Sequence, residues 1–150
     1  MSMSVPFSGG CACGAVRYEC SAEPLLPRLC YCRDCQRAAG GGYAPLLSVP
    51  VEALRLVQGE PRYATTEGDS GNTVSRGFCP DCGSLVLGRA SAFPEIASVC
   101  AANLDDPSGF RPTFALFTSS AQPWDCLDPE LQKFEGMPTA EELQGLFGGA

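Results

Sequence analysis

The spacing of the cysteines restricts this chain more than any other feature of its sequence. Ten cysteines occur in 150 residues, and seven of them fall into short clusters. The clusters are a C-x-C pair, a C-x-C-x-x-C segment and a C-x-x-C pair, formed by Cys11 and Cys13, by Cys30, Cys32 and Cys35, and by Cys79 and Cys82. Such a chain is expected to be either a secreted disulfide framework or an intracellular metal protein.

The first ten residues favour the second class. They contain no basic residue and no continuous apolar stretch of the kind that a secretory signal requires, and Pro6, Gly9 and Gly10 would break a helix there. No apolar run approaches the length of a membrane span. We therefore expect a cytoplasmic protein, in which thiols stay reduced and clustered cysteines bind metal.

Charge and histidine content exclude several functions. The chain has 10 Lys and Arg residues against 17 Asp and Glu, which gives a formal net charge of -7. Binding to the phosphate backbone of nucleic acids needs a basic face, so we predict no nucleic-acid partner. We also predict no membrane partner, and the sequence does not indicate an oligomeric state. Because the chain has no histidine, Ser-His-Asp catalysis, Cys-His catalysis and histidine-ligated metal sites are excluded.

The apolar pattern predicts a single mainly β domain over residues 1–150. Apolar residues make up 45% of the chain, enough for a hydrophobic core, and 17 Gly and 13 Pro supply many turns. Two short helices are predicted, one near Asp34 and one over residues 140–147, where Thr139 and Glu142 form a capping box. Short strands are predicted at residues 14–20, 25–30, 43–49, 53–57, 61–66, 73–78, 84–89, 95–101 and 112–119.

Two of the clusters together offer four sulfur ligands for a structural zinc ion. In the segment CPDCG at residues 79–83, proline favours a tight turn and glycine allows the conformation that follows it, so that both sulfurs lie on one side. Zinc takes four such ligands in a tetrahedron, and Cys11 and Cys13 are the other available pair. The site would join two distant segments and contribute to folding. The alternative, four ordinary core thiols, fits poorly with cysteines that lie among Gly and Pro.

The middle cluster offers three ligands. Three protein ligands leave one coordination position of zinc open, as in catalytic sites. One alternative is that an isolated cysteine closes a second four-cysteine site. Another is a redox pair, since C-x-x-C also occurs in disulfide oxidoreductases, although the third thiol and the lack of a thioredoxin-type βαβ pattern argue against it. The isolated cysteines are Cys20, Cys100 and Cys126.

Three motifs follow one another along the chain: GCACGAVRY at residues 10–18, CYCRDCQR at 30–37 and FCPDCGS at 78–84. In this order they resemble the glutathione-dependent formaldehyde-activating enzyme family, which includes the centromere protein V domain. The similarity continues through NLDDP at 103–107 and AQPW at 121–124, and it spans roughly residues 7–138.

The resemblance implies a β-tent fold of short antiparallel strands stapled by zinc. It implies a structural zinc at the four-cysteine set and a catalytic zinc at the middle cluster. It also implies the joining of formaldehyde to glutathione, or the reverse cleavage of S-hydroxymethylglutathione, which is a carbon–sulfur lyase reaction. Family members usually carry histidine where this chain has Tyr31 and, in the segment 112–117, where it has Ala115; these departures bear on substrate positioning and not on the implied metal ligands.

We therefore expect a zinc-dependent lyase acting on a thiol adduct, with glutathione as a candidate co-substrate and Cys30, Cys32 and Cys35 as catalytic residues. Three thiolates and one Zn²⁺ carry one net negative charge, which suits a thiolate as fourth ligand. Arg33 and Arg37 could hold the carboxylates of a peptide-like thiol, or could be solvated. Asp34 could act as an acid or base, but a helix cap is the preferred interpretation. The alternative functions are a non-catalytic zinc-stapled binding module and a redox or metal buffer.

Overall fold

Short strands separated by Gly and Pro turns dominate the structure, which is a computed structural model describing residues 3–68 and 71–148. Within that part of the chain no helix is both long and apolar enough to cross a membrane. The helices are α1 (Arg33–Ala39) and α2 (Ala140–Gly148). The strands are β1 (Phe7–Gly10), β2 (Arg17–Cys20), β3 (Leu25–Cys30), β4 (Ala44–Pro50), β5 (Leu54–Gln58), β6 (Arg62–Glu67), β7 (Thr73–Phe78), β8 (Leu85–Ala90), β9 (Ile96–Cys100), β10 (Phe114–Leu116) and β11 (Gln132–Lys133).

The strands form two sheets. The small sheet contains three strands in the order β1-β2-β5, and the large sheet contains eight in the order β11-β10-β3-β4-β9-β8-β7-β6. The predicted mainly β fold of short strands is confirmed. The pairing is antiparallel except at β10, which pairs in parallel with both β3 and β11. A long connection and not a hairpin brings β10 to β3, so the turn does not impose an antiparallel direction.

The alternation of side chains along β4 separates the main core from a cavity. Leu47 and Val49 point towards the small sheet and are fully buried with Tyr18 and other apolar side chains. Leu46 and Ser48 lie on the opposite face and line a cavity. Successive residues of a strand face opposite sides of the sheet, so one strand supports both features. The core therefore fixes the large sheet, while its other face remains available for a site.

Most predicted elements occur close to their expected positions. The capping box is present: the Glu142 N–H donates to Thr139 Oγ1 at 3.2 Å, and the Thr139 N–H donates to the Glu142 carboxylate at 2.8 Å. The cap of α1 differs from the expectation for Asp34. The N-cap is Cys32, whose sulfur accepts from the Cys35 N–H at 3.3 Å, while Asp34 lies in the first turn.

Candidate metal centres and cavity

Two turns of similar construction carry the four-cysteine set. In one of them the Cys79 N–H donates to the Ser84 carbonyl at 2.9 Å, and Gly83 adopts a φ of 78°. The turn at Cys11–Cys13 ends in the same way, with Gly14 at a φ of 82°. This left-handed conformation is open to glycine at little cost and strains other residues. The sequence thus dictates two matching loops that present paired sulfurs.

The sulfurs of this set lie at distances that suit a shared metal ion. Cys11 Sγ and Cys13 Sγ are 3.6 Å apart, Cys13 Sγ and Cys79 Sγ are 3.7 Å apart, and all four sulfurs, including that of Cys82, lie within 4.8 Å of one another. Tetrahedral zinc with Zn–S bonds of about 2.3 Å holds its sulfurs about 3.8 Å apart, whereas a disulfide bond is about 2.0 Å long. All ten cysteines are free. The donor set fits zinc and not a disulfide.

Hydrogen bonds to the sulfurs favour the thiolate form at two positions of this set. The Val16 N–H donates to Cys11 Sγ at 3.2 Å. The Ser84 hydroxyl lies 3.2 Å from Cys82 Sγ, and hydrogen bonding to Ser84 lowers the pKa of Cys82 to about 5. The thiolate is the form that binds metal. Two of the ligands are buried and two are exposed, so the set lies at the surface.

The middle cluster lies where β3 passes into α1. Cys30 is the last residue of β3, Cys32 caps α1 and Cys35 lies in its first turn, and their three sulfurs lie within 4.8 Å of one another. We call this cluster the trio. In the described part of the chain no further His, Cys, Asp or Glu joins it at that distance. Cys100 lines the adjacent cavity without joining the cluster.

The electrostatics of the trio also fit a bound cation. Hydrogen bonds from the Cys30 and Cys35 thiols lower the pKa of Cys32 to about 2, and the contact with Cys32 in turn raises the pKa of Cys30. When three thiols lie this close, the first to lose its proton becomes a thiolate stabilised by its neighbours. Deprotonation of a second thiol is unfavourable unless a cation offsets the added negative charge. Soft sulfur donors are the ligands that zinc accepts readily.

A cavity of about 980 Å³ opens beside the trio. All three cysteines of the trio line it, and none of the four-cysteine set does. Arg76 on β7 also lines it and places Nη2 at 3.7 Å from Cys35 Sγ. The two clusters therefore differ in their surroundings: one faces a cavity large enough for a small organic molecule, and the other does not.

Arg33 and Arg37 are exposed residues of α1 that do not line this cavity. Arg33 donates to the Gln36 side chain, which is buried and bonds in turn to the Tyr31 carbonyl at 2.7 Å. Asp34 is exposed and lines the cavity. The binding roles considered for the two arginines stay predictions.

The two positions at which the chain departs from the family pattern lie together in the interior. Tyr31 is 1% exposed and Ala115 is fully buried, and both belong to one apolar cluster with Leu29. Neither lines the cavity. The large Tyr31 side chain beside the small Ala115 fills this part of the core.

Three arginines line the cavity, and sequence reasoning singled out none of them: Arg28, Arg76 and Arg89. Arg28 precedes Cys30 by two residues on the predicted strand, so strand alternation alone would place it on the same face as that cysteine. Arg76 is brought to the trio by the pairing of distant strands, and nothing in its local sequence indicates the contact.

Comparison with known proteins places these features in context. Residues 6–120 match the family described as glutathione-dependent formaldehyde-activating enzyme. A protein of Halomonas elongata whose name provisionally gives it the same activity is 33% identical over 102 residues, and the match covers 65% of this chain and 64% of that relative. A crystal structure of a Rhodobacter sphaeroides protein superposes with a TM-score of 0.52 at 28% identity, covering 70% of this chain and 91% of the other.

Proposed function

The chain belongs to the glutathione-dependent formaldehyde-activating enzyme family, and from this premise we propose that it is a zinc-dependent carbon–sulfur lyase acting on a thiol–aldehyde adduct such as S-hydroxymethylglutathione. The observation that carries the proposal is the placement of the trio in the wall of the large cavity. A thiol bound in that cavity would reach the sulfurs directly. The proposal treats residues 1–150 as one zinc-binding domain.

The proposal gives the two clusters different roles. Cys11, Cys13, Cys79 and Cys82 would hold a structural zinc, and the trio would hold a second one. When bound at the trio, zinc supplies Lewis acidity and one coordination position for an external sulfur. The supporting observation is that four sulfurs complete the first set, whereas the second contributes three sulfurs beside open space.

The reaction needs no oxidant or reductant. In the forward direction the sulfur of the thiol forms a bond to the carbonyl carbon of formaldehyde, and the proton of the thiol ends on the carbonyl oxygen as a hydroxyl. In the reverse direction the hydroxyl loses its proton, the carbon–sulfur bond breaks and the thiol is regenerated. The largely apolar cavity walls limit bulk water around the reacting atoms, which strengthens electrostatic interactions there.

Arg76 is the cationic side chain closest to the trio in the described contacts. Its guanidinium lies beside Cys35 Sγ and offsets part of the negative charge of the thiolates. The same guanidinium donates to Thr66 Oγ1 at 3.4 Å, which holds it against β6. In the proposed reaction it would help keep an incoming thiol deprotonated near the trio.

The proposal is tested by exchange NMR spectroscopy on glutathione mixed with formaldehyde. We expect the zinc-loaded protein to accelerate exchange between free glutathione and its hydroxymethyl adduct. Cys32→Ser should lose most of this acceleration, at least about ten-fold, while the protein stays folded. Cys126→Ser is the matched control, because Cys126 is an exposed cysteine outside both clusters.

The same preparations distinguish the non-catalytic binding module. If the wild-type protein binds zinc at both clusters but never accelerates exchange of any thiol adduct, the enzyme proposal is wrong. Variable zinc content between preparations, with free thiols rising as zinc falls, would favour metal buffering instead.

A further inference from the structure

Arg28 is a half-buried cation that lines the cavity. Its Nη1 donates to the Leu26 carbonyl and to Ser48 Oγ, each at 2.9 Å, and its Nη2 donates to Ser98 Oγ at 2.9 Å. All three partners are neutral, and no carboxylate pairs with this guanidinium among the described residues. Charged groups in such surroundings are usually paired, so Arg28 can take a carboxylate partner from a ligand in the cavity.

The guanidinium retains donors for a ligand. Arginine carries five N–H groups, and the three hydrogen bonds of Arg28 use three of them. The two serines fix its orientation, because Ser48 is itself buried and Ser98 faces it across β4 and β9. A carboxylate is the anion whose geometry matches a planar guanidinium.

A continuous floor leads from this cation to the trio. Ser48 pairs with Ser98, Ser98 pairs with Gly88 and Gly88 pairs with Arg76, and all four line the cavity. A Cβ atom at Gly88 would meet no atom closer than the Ser75 carbonyl oxygen at 3.4 Å. The missing side chain therefore leaves a gap in the floor between the two serines and Arg76. A ligand can lie across this gap with one end at Arg28 and the other at Arg76.

The walls above this floor are mainly hydrocarbon. The peptide groups of a ligand such as glutathione would lose water there and find few partners, which is unfavourable, whereas an alkyl chain would gain from the same burial. The two acidic residues of the lining, Asp34 and Glu67, are exposed. The apolar wall residues include Leu26, Leu46, Phe93, Ile96, Phe114 and Leu116.

We propose that Arg28, held by Ser48 and Ser98, anchors the carboxylate of a thiol substrate with an apolar body, and that the enzyme prefers an ω-mercapto acid to glutathione. This inference rests on the proposed function, because it names the thiol which that reaction would use. Arg28 is a specificity-determining residue in this scheme, since it contacts the carboxylate and not the reacting sulfur.

Calorimetric titration of the zinc-loaded protein tests the anchor. The probes are ω-mercaptohexanoate, ω-mercaptohexanol and glutathione. We expect the acid to bind at least about ten-fold more tightly than the neutral alcohol, because its carboxylate forms charge-assisted hydrogen bonds with the Arg28 guanidinium. The acid should also bind more tightly than glutathione. Arg28→Gln should abolish the preference for the acid while the affinity for the alcohol stays the same, and Arg28→Lys should restore part of it.

Two further variants control for effects that a substitution has on folding and not on the ligand. Arg55→Gln removes the same charge from an exposed position of the small sheet and should leave every affinity unchanged. Gly88→Val keeps all charges but fills the gap in the floor, and should weaken binding of both six-carbon thiols. Equal weakening of acid and alcohol by Arg28→Gln would overturn the proposal, as would tighter binding of glutathione than of ω-mercaptohexanoate.

Hexanoate, which has no sulfur, separates this inference from the proposed function. Binding of hexanoate that depends on Arg28 supports the anchor even if no thiol adduct is ever turned over, in which case only the enzyme proposal fails. If the protein accelerates adduct exchange but binds hexanoate no better than hexanol, the anchor is wrong and the enzyme proposal stands.

Discussion

The ion pair between Arg17 and Asp105 connects β2 to the turn that follows β9. Arg17 donates to both carboxylate oxygens of Asp105, at 2.8 and 2.5 Å, and Ser8 Oγ donates to one of them at 2.6 Å. The hydrogen bonds from Arg17 and then from Ser8 lower the pKa of Asp105 to about 2. Because folding depresses this pKa, the stabilisation is fully present above the unfolded value of about 4 and is lost as the pH falls towards 2.

We predict that Asp105→Asn lowers the free energy of unfolding at neutral pH by about 0.5–1 kcal/mol, a modest value because both side chains are partly exposed. The difference between the variant and the wild type should disappear between about pH 4 and pH 2. Urea unfolding of both proteins at several pH values measures it. The comparison is confined to pH values at which both proteins retain zinc, because release of zinc unfolds them. Equal stability of Asp105→Asn and the wild type at neutral pH would contradict the assignment.

At this scale the sequence predicts some residues of the site well and others poorly. The trio members are separated by two and three positions, so a turn and a helix start bring their sulfurs together without any distant contact. Arg28 and Arg76 lie on different strands, and only the register of four intervening pairings places them on one floor. Local spacing carries no information about such a register.

The two cysteine turns are the elements on which the four-sulfur set depends. Both turns end in a left-handed glycine, and a Cβ atom at Gly83 would meet nothing within 4 Å. Any effect of alanine at Gly83 therefore comes from backbone strain and not from a clash of its Cβ atom. A substitution at Gly83 therefore tests how the backbone conformation of the turn affects metal binding.

We predict that Gly83→Ala weakens zinc binding at the four-cysteine set by about five- to thirty-fold, because alanine in the left-handed conformation costs about 1–2 kcal/mol. Competition with a chromophoric chelator measures the affinity. Gly41→Ala is the matched control, since this position is equally open and does not have a positive φ. Equal effects of both substitutions would show that the turn conformation is not the cause.

The elements were predictable to the extent that their patterns are local. Alternation and turn residues located nine strands, and the capping box located the start of α2. β1 was missed because its sequence FSGG has no strand-like alternation, and β11 because it contains two residues. Both exist through pairing with a neighbour, β1 with β2 and β11 with β10.

For the molecule as a whole, the two cysteine clusters differ in which parts of the fold they connect. The four-cysteine set joins the end of β1 in the small sheet to the end of β7 in the large sheet, across 66 residues between Cys13 and Cys79. The Ala12 N–H also donates to Ser84 Oγ at 3.0 Å across the same junction. The trio, by contrast, joins residues of one short segment.

We predict that a chelator removes zinc in two stages with different consequences. Zinc at the trio should leave first, because three protein sulfurs hold it and not four, with little change in the circular dichroism spectrum. Zinc at the four-cysteine set should leave later, together with loss of the folded structure. Zinc release and ellipticity recorded on one sample measure both stages. Simultaneous loss of both ions and of structure would show that the trio also maintains the fold.

The wall of the cavity contributed by α2 and the segment before it has a consequence for how such proteins can diversify. Met137, Pro138 and Leu143 line the cavity, yet they lie beyond residue 120, where the match to the family ends. One end of the cavity wall therefore lies in a segment separate from residues 11–82, which supply every cysteine of the two clusters. Substitutions in this segment can reshape that end of the cavity while the sulfur ligands and Arg28 stay in place.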